Sequence, residues 1–371
     1  MNPFRPFPWF LPALLAVAAR ADVVPAPAGI GANAAVKVEG PLTTVNLSGP
    51  SRLEWQDFNL AAGREMRFLS QNGGAFPSLN IVRSPAAAVI DGRITADGPF
   101  YLISPGGLQV GTTGGIEAPR VLLSTLTAPD TSRVLADGTG TFSPSGIGGI
   151  VGVDGTIETS GGPLVILSET ISIGGQARLR SNGGDIRLAA VDSGPVAVPS
   201  PASSLNTRTS GGSGLVNNTG WIDARRVEIV SDGFIVNGGR LTSLGQGNQI
   251  RLAASSVSHE SRPDNSSVIL TSALSVEGPF RQIGAVINPA DGPNPSVAAG
   301  LRQTPRLSSP GFITKVEPGQ TQLSTAPLQS PQKSASAVPP PLPRTSTLAA
   351  RRTRSAGTVK KASFFGQQVK H

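Results

Sequence analysis

Between residues 23 and 300 the sequence repeats short β-favouring runs, each followed closely by a turn residue. The runs are rich in Val, Ile and Leu, and Gly, Asn, Asp or Ser follows most of them. Examples are "AVKVEG", "MRFLS", "RITA", "PLVILS" and "RVEIVS". Helical spacing with capping residues is hard to find anywhere in this region. The pattern predicts an all-β chain.

Two stretches of this region match each other in strand and turn. They read "SNGGDIRLAAVDS" at 181–193 and "GQGNQIRLAASSV" at 245–257. Their offset of 64 residues corresponds to about three coils of roughly 21 residues. A chain that winds one coil at a time stacks like side chains about 4.8 Å apart. We therefore predict a right-handed parallel β-helix, a solenoid, with a loop insertion near 196–214.

The composition argues against several classes of enzyme. The chain has 45 glycines, 33 prolines and no cysteine, which disfavours a helical or α/β enzyme and removes disulfides, thiolate zinc sites and cysteine nucleophiles. It contains no phosphate-binding Gly-x-x-x-x-Gly-Lys loop and no Gly-x-Ser-x-Gly elbow. His259 beside Glu260 could be drawn as a site, but we expect it in a solvated loop. We predict no catalytic, cofactor-binding or metal-binding residue.

The first residues predict export. Arg5 gives a weakly positive start, residues 9–19 form an apolar run, and Ala19, Arg20 and Ala21 form a small-x-small cleavage site. The alternative is a buried N-terminal helix or a short anchor, but two prolines interrupt the run and it is too short to cross a bilayer. We predict a cleaved signal peptide over residues 1–21.

The C-terminal segment differs from the rest in charge and composition. Residues 301–371 carry eleven Lys and Arg against one acid, and they are rich in Pro, Ser, Ala and Thr. Such a segment buries too little apolar surface to offset its ordering entropy. We predict a disordered basic C-terminal tail, which could contact anionic polymers or a membrane, although a simply solvated tail is the stronger interpretation.

Several spaced motifs in residues 30–190 resemble those of a known family. "EWQDFNLAAGREMRF" has an aromatic-x-x-Phe-Asn-apolar pattern, "LNIV" follows at 79–82, and the densest stretch is "IDGRITADGPFYLISPGGLQVG" at 90–111. This order is similar to the N-terminal secretion domain of the filamentous haemagglutinin family, the exported partners of two-partner secretion (TPS) systems. Family members read Asn-Pro-Asn-Gly where this chain has "SPGG", so the proline and the final glycine are kept and both asparagines are lost. Gly106 can adopt the left-handed conformation that the second asparagine would tolerate.

The resemblance implies a partner and a recognition segment. The implied partner is an outer-membrane secretion pore with periplasmic recognition domains, which a strand-like chain could engage by strand addition. The contact is expected within 55–68 and 79–111, although the same residues could simply form core and turns. The residues that match the secretion motif are Trp55, Phe58, Asn59, Asn80, Ser104, Pro105, Gly106 and Gly107.

The resemblance also implies a location and a domain layout. The protein is expected to pass through the periplasm of a Gram-negative-type bacterium and to be secreted or held at the cell surface, at the outer membrane. It is expected to be a monomer that acts as an adhesin on host or neighbour-cell ligands. The layout is a signal peptide at 1–21, the haemagglutinin-type secretion domain and β-helix at 22–300, and the tail at 301–371. The alternatives are a β-helix enzyme acting on polysaccharides, for which no carboxylate pair is evident, and a structural protein of the cell envelope.

Overall fold

The computed structural model describes residues 26–200, 203–207, 212–244, 247–260, 267–287 and 314–315. The predicted signal peptide and most of the predicted tail lie outside these residues. Within them, almost every regular element is a short strand, as the recurring β-favouring runs predict. No helix of the described part has the length and apolarity needed to cross a bilayer.

Short strands follow one another along the whole described chain. The strands of the first half are β1 (Ala26–Ile30), β2 (Ala34–Glu39), β3 (Leu42–Leu47), β4 (Ser51–Asp57), β5 (Glu65–Ser70), β6 (Ser78–Val82), β7 (Ala88–Ile90), β8 (Arg93–Ala96), β9 (Phe100–Ile103), β10 (Leu108–Val110), β11 (Gly115–Ala118), β12 (Val121–Ser124), β13 (Gly140–Phe142), β14 (Ile150–Val153), β15 (Thr156–Thr159) and β16 (Leu164–Ser168). The strands of the second half are β17 (Thr170–Ile173), β18 (Arg178–Ala190), β19 (Val196–Val198), β20 (Asn206–Thr207), β21 (Leu215–Asn218), β22 (Trp221–Ser231), β23 (Phe234–Asn237), β24 (Arg240–Ser243), β25 (Gln249–Ala253), β26 (Ser256–His259), β27 (Val268–Thr271), β28 (Leu274–Glu277), β29 (Phe280–Gln282), β30 (Ala285–Ile287) and β31 (Thr314–Lys315). The helices are α1 (Thr131–Asp137) and a 3₁₀ turn at Gln71–Gly73.

The strands stack in parallel on three faces of a β-helix. The first face contains β3, β5, β8, β11, β15, the first half of β18, the first half of β22, β24, β27 and β30. The second face contains β4, β6, β9, β12, β16, the second halves of β18 and β22, β25 and β28. The third face contains β7, β10, β14, β17, β21, β23, β26 and β29. The predicted parallel β-helix is therefore confirmed.

The core runs along the axis of this helix as stacks of inward side chains. On the first face one stack consists of fully buried residues in register from coil to coil, namely Met66, Ile94, Ile116, Ile157, Leu179, Ile222, Leu241 and Ile269. Alternate residues of each short run point inward, which explains why the sequence repeats Val, Ile and Leu at strand spacing. Each added coil extends the same apolar stack.

The predicted number of coils between the two matching stretches is wrong. Ile186 pairs with Val227, and Val227 pairs with Ile250, so the stretches are two coils apart rather than three. The first of these coils is lengthened by the segment 192–213, which we call insertion 2. The predicted insertion near 196–214 is thus confirmed, and its length is close to that of one extra coil.

Another insertion lies earlier in the chain, at residues 127–149, and we call it insertion 1. It contains a helix that the sequence pattern does not predict. The Asp130 side chain accepts a hydrogen bond from the Arg133 backbone N at 3.1 Å, which caps the first turn of α1. Gly138 ends the helix at φ 72°, a left-handed conformation that suits glycine. The helix has seven residues, too few for a helical repeat to show in the sequence.

The two insertions cover the outside of the second face. β13 of insertion 1 pairs with β19 of insertion 2, and β19 pairs with β20. Beneath them lies a second buried apolar cluster formed by outward residues of the second face together with Val134, Phe142 and Val196. The strands β9, β12 and β16 are therefore apolar on both sides, and β9 is fully buried over Phe100–Ile103.

Insertion 2 is fastened at both ends by one carboxylate. Asp232 accepts hydrogen bonds from the backbone N atoms of Asp192, Ser193 and Gly214 at 3.1, 3.1 and 2.9 Å. Further along, the buried Glu228 carboxylate accepts from the Leu205 backbone N at 3.0 Å and pairs with Arg251 at 2.6 Å. These bonds tie the insertion to the coil of β22, and the ion pair extends the contact to Arg251 on the coil of β25.

The cover over Tyr101, the only tyrosine of the chain, gives a direct spectroscopic prediction. Its ring is 2% exposed and lies under Gly138, and burial raises the pKa of its phenol, although the nearby Arg120 opposes this. We expect no tyrosinate absorbance in the folded protein near the ordinary pKa of about 10. Because the unfolded chain ionises first, stability should be unaffected below that pH and fall as the pH rises above it. Ordinary titration of the folded protein would contradict the cover, and protein in guanidinium is the control.

The ends of the described region carry antiparallel strands. At the N-terminal end, β2 pairs with β3 and β1 pairs with β4, both antiparallel, so the first coil is covered by a hairpin and an added strand. Residues 314–315, within the predicted tail, form β31 antiparallel to β28. The remaining residues of that predicted tail lie outside the described ranges.

Candidate functional site

Three residues of the predicted secretion motif meet inside the first coils. Trp55 on β4 and Asn80 on β6 are fully buried, and the Trp55 Nε1–H donates a hydrogen bond to Asn80 Oδ1 at 2.9 Å. The Asn80 amide donates to the Tyr101 backbone O at 3.1 Å. Phe58 packs edge to face on the Trp55 ring, with centroids 5.3 Å apart. A buried amide that is bonded on both sides fixes the register of β4, β6 and β9.

An aromatic cluster extends from this contact. Phe100 lies 6.5 Å from Phe58 and 5.1 Å from Phe68, measured between ring centroids. All three rings are buried in the main core. Aromatic residues make up only 5% of the chain, so their concentration in the first coils marks this end as the most densely anchored part of the core.

The other motif residues lie at the corner between the second and third faces. Asn59 is half-buried, and its Oδ1 accepts a hydrogen bond from the Val89 backbone N at 3.0 Å, which ties the first coil to the second. The turn of 104–107 lies at the same corner two coils after Asn59, and Gly107 O accepts from the Ala88 N of the coil between them at 3.0 Å. The structure thus places the motif in two groups, one in the core and one in a stack of corners.

The turn at 104–107 is closed by its first residue. Gly107 N donates to Ser104 O at 3.0 Å, and the buried Ser104 hydroxyl donates to Gly107 O at 2.7 Å. The hydroxyl takes over a role that an asparagine side chain can play in fixing a turn. The residue with a positive φ is Gly107, at 115°, rather than Gly106. Gly106 is instead required for space, because a Cβ there would lie 2.3 Å from Pro85 O.

Restoring the family's asparagine at this glycine should therefore be harmful. Gly106→Asn is expected to lower the free energy of unfolding by about 1–3 kcal/mol, because its Cβ must displace the Pro85 backbone. Gly161→Asn is the matched control, since a Cβ there meets nothing within 4 Å, and its effect should stay below about 0.5 kcal/mol. Urea unfolding followed by circular dichroism measures both. Equal stability of the two variants would show that the corner is not closely packed.

The motif residues offer little surface to a partner in the folded state. Trp55, Phe58, Asn80 and Ser104 are fully buried, and Pro105 is half-buried. Sequence reasoning also missed Ser124 at the next corner, whose hydroxyl accepts from the Leu126 N at 3.0 Å. The only signal for it was its place at the end of the strand "VLLS", directly before a turn.

The enzyme alternative requires free carboxylates at a cleft. A groove of about 630 Å³ lies at the corner between the first and second faces and is lined by Asp97, Glu117 and Glu158 among others. Each carboxylate is already engaged: Asp97 accepts from Ser70 N at 2.7 Å, Glu117 pairs with Arg93, and Glu158 accepts from Asn182 at 2.7 Å. In the described ranges no cluster of three His, Asp or Glu side chains is arranged to hold a metal ion.

The expectation of a solvated loop at His259 is wrong. His259 is the last residue of β26, is fully buried and points into the core. Its Nδ1 lies 3.0 Å from the Asn237 amide N, and Asn237 accepts in turn from Asn218 at 2.7 Å. These three residues are register partners on successive coils of the third face. The histidine is therefore part of an internal polar ladder.

Comparisons with known proteins agree with the fold and the motif. The crystal structure of the HMW1 secretion domain from Haemophilus influenzae superposes with a TM-score of 0.58 at 19% sequence identity, over 71% of this chain and 73% of that chain, so the two share a fold. The crystal structure of the filamentous hemagglutinin secretion domain gives a TM-score of 0.46 at 13% identity, over 72% of this chain and 95% of that chain. No curated protein matches the chain significantly. The family model described as the TPS secretion domain matches residues 35–263. The chain therefore belongs to the TPS secretion domain family, which is not a class of enzymes, and is a two-partner-secretion exoprotein.

Proposed function

We propose that an outer-membrane partner pore recognises residues 55–68 and 79–111 of this protein before they fold, and carries the chain out of the periplasm. The observation that supports this is the match of residues 35–263 to TPS secretion domains, within which the motif residues lie. In the folded state Trp55, Asn80 and Ser104 are buried, so a partner reaches them only in an unfolded chain. An extended chain also offers its backbone for strand addition to the pore's periplasmic domains.

Folding of the secreted chain outside the cell then prevents its return through the pore. The coils of a parallel solenoid contact only their neighbours, so the β-helix can form coil by coil without disulfides. The strands β1 and β2, with the aromatic cluster around Trp55, give the first coils an early closed end. Burial of the recognition segment in the core removes it from the pore, which makes release effectively one-directional.

The final role proposed is that of a surface-bound or secreted adhesin. Under this proposal residues 1–21 direct the chain to the periplasm and are removed, residues 22–300 form the secretion domain and β-helix, and residues 301–371 remain as a basic tail. The protein acts as a monomer whose exposed faces meet ligands on host or neighbouring cells. Membership of the TPS family supports this role.

The pore requirement can be tested in cells. The protein is expressed in a Gram-negative host with and without an outer-membrane pore of the two-partner-secretion type, and surface protein is detected by protease shaving and fractionation. With the pore, the protein is expected at the surface or in the medium. Without it, the protein is expected to remain in the periplasm. Surface protein in the absence of any partner pore would overturn the proposal.

A further inference from the structure

Three side chains on the solvent side of the first face form a continuous stack. Arg178, Trp221 and Arg240 are register partners on the consecutive strands β18, β22 and β24. Trp221 is 44% exposed. The guanidinium carbon of Arg178 lies 4.7 Å from the centroid of the Trp221 ring, and that of Arg240 lies 5.4 Å from it. The indole is therefore held between two cations on a rigid sheet.

The two cations of this stack are not neutralised by nearby acids. Among the residues that the structure describes, no carboxylate forms an ion pair with Arg178 or Arg240, and Arg240 Nε donates to the Thr242 hydroxyl at 3.1 Å. Arg93 stands on the same line of outward residues three coils earlier, and it is paired with Glu117 at 2.6 Å. Stacking on the indole restricts the arginines in advance, so little rotamer entropy is lost when an anion binds.

The surroundings of the stack select among anionic ligands. Exposed Asp223 lies two residues after Trp221 on the same side of β22, and exposed Thr156 precedes Arg178 on the neighbouring coil. A carboxylate beside two cations accepts hydrogen bonds from hydroxyl groups but repels a polymer that is charged at every unit. The surface suits a ligand with spaced anionic groups and many hydroxyls.

We propose that Arg178, Trp221 and Arg240 form a binding site for carboxylated polysaccharide. The guanidinium groups receive the sugar carboxylates as charge-assisted, fork-like pairs, and Asp223 and Thr156 receive sugar hydroxyls. Nucleic acid is the less favoured ligand because Asp223 lies within the surface. The proposal deepens the adhesive part of the proposed function and rests on it for its biological role, whereas binding itself is measured on purified protein without any pore.

The test uses the emission of Trp221 in the chain that carries Trp9→Phe, with every other residue present. The chain has three tryptophans, of which Trp55 is fully buried and Trp9 lies in the predicted signal peptide, so quenching or shifting of the exposed emission reports on this surface rather than on the basic tail. The probe is a tetrasaccharide in which glucuronic acid alternates with N-acetylglucosamine, so that its carboxylates are spaced, and its methyl-esterified form is the neutral control. Arg178→Gln/Arg240→Gln is compared with Arg93→Gln, which removes an exposed but paired arginine of the same line.

The expected result is saturable binding of the tetramer and none of the ester. The double variant should bind at least about tenfold more weakly, since two charged hydrogen-bonding groups are lost, and Arg93→Gln should stay within about twofold of the parent. Circular dichroism confirms that each variant is folded. Absence of binding, or equal binding by all three proteins, would overturn the proposal. Tighter, Arg178-dependent binding of a single-stranded DNA oligonucleotide would also overturn it, in favour of nucleic acid.

Discussion

Trp55→Ala is expected to lower the free energy of unfolding by about 3–5 kcal/mol. The ring is fully buried in the main core, contacts Phe58 edge to face and donates to Asn80 at 2.9 Å. The substitution therefore leaves a cavity and an unsatisfied amide oxygen together. Urea unfolding followed by far-ultraviolet circular dichroism measures the loss, because the fluorescence of the variant is no longer comparable with that of the parent.

Trp55→Phe separates the two contributions. Phenylalanine keeps most of the packing but cannot donate to Asn80, so the expected loss is about 1–3 kcal/mol, from the buried amide oxygen alone. A loss as large as that of Trp55→Ala would assign the whole effect to the hydrogen bond. No loss for either variant would contradict the assignment of the motif tryptophan to the core.

Asp185→Leu is expected to cost a similar amount on a later coil. Asp185 and Arg187 are both 2% exposed at the side chain and are paired at 3.3 Å, and Asp185 also pairs with the exposed Arg225. Removing the acid breaks this buried ion pair from one side, which typically costs about 3–5 kcal/mol. Thermal and urea unfolding of the parent and variant measure the difference.

The double variant Asp185→Leu/Arg187→Met is the control for this prediction. Replacing both members of a buried ion pair by apolar side chains of similar size is often close to neutral, so the double variant is expected within about 1 kcal/mol of the parent. If the double variant were as unstable as Asp185→Leu, leucine packing rather than the broken ion pair would explain the loss.

Much of the fold could be predicted because a β-helix repeats its pattern on every coil. Alternation places Ile94 and Ile116 inside, and the same alternation along "SVSH" places Val257 and His259 inside. The prediction of a loop at His259 relied on histidine being a polar residue. The position of His259 in the alternating strand, however, determines that its side chain is buried. Asn218 and Asn237, which form the polar ladder with His259, come into register only after folding. No local sequence pattern therefore links the three residues.

The insertions could be predicted only in part. Insertion 2 is visible from its Pro and Ser content, but its length imitates one coil, which explains the wrong coil number between Ile186 and Ile250. The helix α1 could not be predicted because seven residues show no helical repeat, although Asp130 and Gly138 are ordinary capping residues. Its packing over Tyr101 depends on contacts between distant segments.

The motif residues of the candidate site indicate the family of the chain, but they do not by themselves establish the mechanism of export. The spacing of Trp55, Asn59 and Gly107 was enough to place the chain in its family, and the structure explains each residue by packing or turn geometry. Their recognition by a pore remains our proposal, because a residue that is buried in the folded state can be read only beforehand. Stability and export therefore have to be measured separately.

The measurement that tests the central claim most directly is surface protease shaving of cells that carry the partner pore. Three chains are compared: the parent, the parent lacking residues 55–111, and Asp185→Leu as a destabilised chain with an intact recognition segment. We predict that the deletion stays in the periplasm, while Asp185→Leu still reaches the outside, because the pore reads the unfolded segment. Export of the deletion at the level of the parent would contradict the account, and equal retention of Asp185→Leu would show that folding rather than recognition controls export.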